Sequence, residues 1–105
     1  MENNHTVFEN LEVIKNKITS SSTNLIFYSD AFSKTKFLSK IMESFEDPII
    51  YLDFDLLFSG YLESGHIEKP PNMEIIKPDK ENLKELLPIV LTKISSQKTT
   101  LIVDF

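Results

Sequence analysis

Short, nearly continuous apolar runs alternate along this chain with longer segments whose apolar residues repeat at helical spacing. The clearest runs are Ile49 to Asp53, Met73 to Lys77 and Thr99 to Phe105, with a shorter one at Leu25 to Tyr28. Such runs, rich in β-branched and aromatic residues, suit strands buried on both faces. Between them Phe37, Leu38, Ile41, Met42 and Phe45 form one helical stripe. Leu83, Leu86, Leu87, Val90, Leu91 and Ile94 form another. Strands separated by helices predict a mostly parallel sheet with helices on both faces, a three-layer α/β/α fold with right-handed crossovers.

The punctuation of the chain fits this order. Phe8, Leu11, Ile14 and Ile18 predict a helix over 6–18, opened by a capping box from Thr6 to Glu9. Ser20 to Thr23 is a polar break, so residues 1–23 form an N-terminal helix and linker, and 24–105 the main domain. A loop from Ser29 to Ser33 is expected before the second helix, which Glu46-Asp47-Pro48 stops. The stretch from Asp55 to Pro71, with Gly60, Gly65 and Pro70-Pro71, predicts a short helix followed by a loop. Pro78 closes the third strand and Asp79 can cap the next helix. Pro88 falls inside that helix but off its stripe, on the solvent side. The last strand ends the sequence where a central parallel strand would ordinarily be followed by a covering helix, so the expectation is the first part of a larger domain.

At 105 residues the chain has room for one modest core. Its 41% hydrophobic and 26% charged content is that of a globular protein rather than a disordered one. The absence of cysteine removes disulfides, thiolate metal sites and Cys nucleophiles from consideration. The start lacks a basic region followed by an apolar stretch, so a cytoplasmic location is expected and no membrane association. A net charge of −5, with no cluster of Lys or Arg, argues against direct nucleic-acid binding. His5 and His66 stand alone in polar surroundings, without the several ligands at set spacing that a metal centre needs.

Three features occur in the order of a P-loop NTPase. Tyr28-Ser-Asp-Ala-Phe-Ser33-Lys34-Thr35 lies between an expected strand and a helix. A Walker A loop has Gly, four residues, Gly, Lys, then Ser or Thr in that setting. Here Lys34 and Thr35 match, while Tyr28 and Ser33 hold the glycine positions. Asp55 follows the strand Ile49 to Asp53, and Leu101-Ile-Val-Asp104 is an apolar strand ending in a carboxylate. Residues 24–105 therefore resemble the first part of a RecA/KaiC-like ATPase core, ending at its Walker B-like strand. The resemblance implies ATP and Mg²⁺ as cofactors. Ser33, Lys34 and Thr35 would hold phosphate, Thr35 and Asp104 the metal, and Asp55 would orient the attacking water, with Asp53 as the alternative base.

The loop chemistry pulls the other way. Glycines let the backbone approach a phosphate without an intervening Cβ. Tyr28, Phe32 and Ser33 remove that freedom, and Asp30 adds a negative charge facing a polyanion. Lys34 in a first helical turn opposes the helix dipole unless an anion binds there. The residues thus support two expectations: an ATP/Mg²⁺-binding domain with weak or no hydrolysis, or a degenerate P-loop relative acting as a protein-interaction or regulatory module. The second implies a protein partner or self-association through an exposed sheet edge or the apolar stretch Phe54 to Phe58.

Overall fold

The computed structural model describes residues 12–18 and 23–105. The chain divides into two units, Met1–Asp30 and Ala31–Phe105. In the first, residues 12–18 are helical (α1) and 23–28 have no regular structure. The Asn24 amide donates to the Ile18 carbonyl at 3.0 Å. The capping box at Thr6 and Glu9 lies outside the described residues, as does His5.

The expected strand at Leu25 to Tyr28 is not formed. These side chains are exposed, Phe27 to 86%. An apolar run becomes a strand only when a neighbour satisfies its backbone and covers its side chains. This run is assigned to no strand pairing.

The second unit holds α2 (Ala31–Met42), β1 (Ile49–Asp53), α3 (Leu57–Glu63), β2 (Met73–Ile76), α4 (Leu83–Ser96) and β3 (Thr100–Asp104). The sheet is all parallel with order β2-β1-β3. Ile49 aligns with Met73 on one side and with Thr100 on the other. Parallel pairing needs crossovers, and the α3 and α4 segments supply them.

Side-chain alternation along the strands divides the core in two. Ile49, Tyr51 and Met73 pack with Met42 of α2, Phe58 of α3 and Ile67, with Leu38, Phe45 and Ile102 at the margin. Tyr51 stacks on Phe58 with ring centroids 4.3 Å apart. Ile50 and Leu52 instead pack with Val90 of α4, bordered by Ile76, Ile94 and Phe54. β1 is buried at every position, which explains the apolar run from Ile49 to Leu52.

Two expectations are corrected here. α2 begins at Ala31, so the expected loop from Ser29 to Ser33 ends earlier and Ser33 lies inside the helix, with Lys34 in the first turn as expected. Ala31-Phe-Ser contains no glycine, and nothing in it resists helical backbone angles. On α4, Val90 is buried and Ile94 half-buried, but Leu87 and Leu91 remain exposed. The helix packs against residues of β1 and β2, and a three-stranded sheet is too narrow to cover its whole stripe. Pro88 faces solvent as expected.

The turn leaving β1 is strained. Leu56 has φ of 64°, a left-handed conformation that disfavours a Cβ. Its side chain is 53% exposed, so little packing compensates. Leu56→Gly should raise stability by about 0.5–1 kcal/mol, read as a higher melting temperature. A lower one would show that the Leu56 side chain contributes more than its backbone costs.

Candidate functional site

The carboxyl ends of β1 and β3 carry acidic residues, and α2 directs a lysine at them. Ligands of open α/β sheets bind at this end of the strands. Lys34 is the fourth residue of α2, on the same side as Leu38, Ile41 and Met42, so burying that stripe also buries the lysine stem. Its ammonium donates to Asp104 at 2.8 and 3.1 Å and to Asp55 at 3.2 Å. The Lys34 and Asp104 side chains are only 4% and 5% exposed, whereas Asp55 keeps 22%.

Each remaining carboxylate oxygen of the group has a defined donor. The Tyr51 hydroxyl donates to Asp104 Oδ2 at 2.5 Å. Asp53 Oδ1 accepts the Leu56 N–H at 3.1 Å, and Oδ2 accepts both the Ser59 N–H at 2.9 Å and its hydroxyl at 2.6 Å. Asp55 Oδ1 accepts the Leu57 N–H at 3.0 Å. Asp53 and Asp55 thereby occupy free amide donors in the first turn of α3, which has no side-chain cap from Leu56 itself. One oxygen from each of Asp53, Asp55 and Asp104 lies within 4.8 Å of the others. No buried side-chain polar atom among the described residues lacks a partner.

Burial and charge set the protonation of the group. Burial alone would lower the Lys34 pKa, but hydrogen bonds to Asp104 and Asp55, with their charges, outweigh it and hold it above the usual lysine value. Burial raises Asp53; the Ser59 bonds oppose this, while the adjacent Asp55 adds to it. For Asp55 burial acts upward, but the Leu57 N–H and Lys34 prevail and hold the carboxyl below its ordinary range. Tyr51 is pushed well above the usual phenol range by burial first and by Asp104 second, so its hydroxyl stays a donor.

Of the residues singled out in the sequence, Lys34, Asp55 and Asp104 are brought together, and Asp53 joins them as the cap of α3. Thr35 is fully buried, and its hydroxyl donates to the Ala31 carbonyl at 2.8 Å. Ser33 is exposed on the helix surface. Tyr51 and Ser59 were not singled out from the sequence. The signal for Tyr51 was present, since two-residue alternation puts it on the same face as Asp53 and a buried phenol requires a hydrogen-bond partner. Ser59 has no such signal, because the bond depends on the turn at Leu56.

Lys34 therefore bridges α2 to the acidic ends of β1 and β3. No family profile, curated protein or solved structure matches this chain. Among the described residues no helix is long and apolar enough to cross a membrane.

Proposed function

We propose that this chain is a degenerate, non-hydrolysing relative of the RecA/KaiC-like P-loop ATPases, with a partial three-layer core, serving as a protein-interaction or regulatory module. The observation that carries this reading is the engagement of Lys34 by Asp104 and Asp55. A phosphate would have to take the ammonium from two carboxylates, and breaking a buried pair on one side costs about 3–5 kcal/mol. Thr35 fits the metal role poorly, since its hydroxyl is fully buried and bonded to its own helix. The start of α2 at Ala31 supports the same reading, because the glycine-free segment is helical where a phosphate cradle would need an open loop. Exposed apolar residues on α4 and β3, including Leu87, Leu91, Leu101 and Val103, suit a module that acts by association. A cytoplasmic location and a protein partner belong to this proposal.

Binding of ATP and Mg²⁺ is the second reading, favoured by the convergence of the Asp53, Asp55 and Asp104 carboxylates. Hard oxygen ligands suit a divalent cation. In that reading Lys34 and Ser33 would face phosphate, Thr35 and Asp104 the metal, and Asp55 water.

Thermal unfolding with and without ATP and Mg²⁺ separates the two. A ligand that binds only the native state raises stability by about 2.7 kcal/mol at a hundredfold excess over its Kd. We expect no shift at millimolar nucleotide. A shift seen in the wild type and absent in Lys34→Ala would establish the second reading.

A further inference from the structure

Among the described residues β3 pairs with β1 along one side only, and its other side forms an edge of the sheet. The Thr100 N–H donates to the Pro48 carbonyl, and the Asp104 carbonyl accepts the Phe54 N–H. Backbone groups of successive residues in a parallel strand face opposite sides. Thr100, Ile102 and Asp104 therefore face β1, and the N–H and C=O groups of Leu101 and Val103 face the open edge. The same two residues expose apolar side chains, at 38% and 43%, on the face where Ile50 and Leu52 meet α4.

The opposite edge differs. β2 carries Glu74, which pairs with Lys93 of α4, and Lys77 follows it. Charged residues of this kind discourage strand addition, whereas β3 has no lysine, proline or bulge along its edge. Its one charged residue, Asp104, is buried and neutralised by Lys34. An approaching strand of the same sequence meets no unpaired charge there.

We propose that the β3 edge pairs antiparallel with the β3 edge of a second copy of this chain, about a twofold axis at Ile102. In that register Leu101 faces Val103 of the second copy, and Val103 faces its Leu101. Both are hydrogen-bonded pairs, so every outward backbone group of these residues gains a partner. A twofold axis normal to the sheet keeps its faces, so the exposed Leu101 and Val103 side chains of both copies meet on one side. The register is self-complementary in hydrogen bonding, apolar surface and charge at once. The inference rests on the reading of this chain as an association module and names its partner. The contact is short, so a weak dimer is expected.

Sedimentation equilibrium from micromolar to millimolar protein, with amide exchange of Leu101 and Val103 at both ends of the range, tests this without nucleotide. The expected result is a mass that rises to twice the monomer, with both amides gaining protection as it does. Val103→Lys, which leaves the ladder to β1 intact, should weaken association by at least about tenfold. Leu101→Pro should do the same, because the N–H it removes points away from β1. If Leu101→Pro fails to fold, Val103→Lys decides alone. A wild type that stays monomeric overturns the proposal, as does association unaffected by Val103→Lys. So does protection that is independent of concentration, which would mean that the edge is covered from within one chain. A nucleotide-induced thermal shift would revise the non-ATPase reading while leaving this result to stand or fall separately.

Discussion

Lys34→Ala should lower the unfolding free energy by about 3–5 kcal/mol, the largest effect of any single substitution outside the apolar core. The reason is asymmetric. Removing the ammonium leaves Asp104, 6% exposed, with only the Tyr51 hydroxyl to stabilise its charge. Asp55 also loses its cation and lies near Asp53. For a domain of this size each kcal/mol moves the melting temperature by about 4–8 °C, so a fall of well over 10 °C is expected. The control is Lys34→Met combined with Asp104→Asn. It removes both charges, keeps an oxygen for the Tyr51 hydroxyl, and should be markedly more stable than Lys34→Ala. Recovery of that kind identifies the stranded charge, rather than lost packing, as the source of the damage. A loss below about 1 kcal/mol for Lys34→Ala would mean that the pair behaves as a solvated surface contact.

The second large effect is loss of stability in alkali. Lys34 is raised above 10.5 in the fold, so its contribution is complete below that value and disappears as pH rises through the folded pKa. Tyr51 is raised from 10.0 and acts with the same sign, since the unfolded chain ionises its phenol while the folded one does not. Stability should therefore fall steeply from about pH 10 upward. Tyr51→Phe should lower stability at neutral pH by about 1–2 kcal/mol through the lost hydrogen bond and flatten this alkaline slope. An unchanged slope in Tyr51→Phe would show that Lys34 alone carries it. In acid the two neighbouring carboxylates act oppositely. Asp55, lowered from 3.8, gives stability that is present above that value and lost as pH falls through its folded pKa. Asp53, raised from 3.8, is most favourable below that value, and its contribution is lost as pH rises through its folded pKa. Their partial cancellation predicts a shallower acid limb than the alkaline one.

These effects bear on function because residues that would serve a nucleotide site instead join α2 to the ends of β1 and β3. Lys34 and Asp104 are separated by most of the domain in sequence, yet their contact anchors the start of α2 to the last strand. The polar group is fully satisfied, which favours one arrangement of the surrounding elements over alternatives. A ligand would have to compete with contacts already made.

How far the chain could be read in advance differs from element to element. β2 and the site of Pro88 lie where Pro78 and the α4 periodicity place them, because local conformational preference and burial agree there. Leu25 to Tyr28 misleads, since its composition matches that of β1 while its environment does not. The start of α2 misleads in the other direction. A pattern read as a loop by comparison with glycine-rich loops is helical without the glycines.

The sequence by itself determined the α/β class, the order of helices and strands from α2 to β3 and the stripe of α2, while the resemblance to P-loop ATPases singled out Lys34, Asp55 and Asp104. The class, the order and the stripe follow from periodicity and residue type, which act over a few neighbouring positions. Only the tertiary structure decided that Lys34 is held by two carboxylates, that Asp53 caps α3 through Ser59, and that Leu87 and Leu91 stay exposed. Those outcomes depend on which side chains meet across the sheet and between α2 and the strand ends. Electrostatic pairing at 3 Å between residues distant in sequence is set by packing geometry, and no local pattern encodes it.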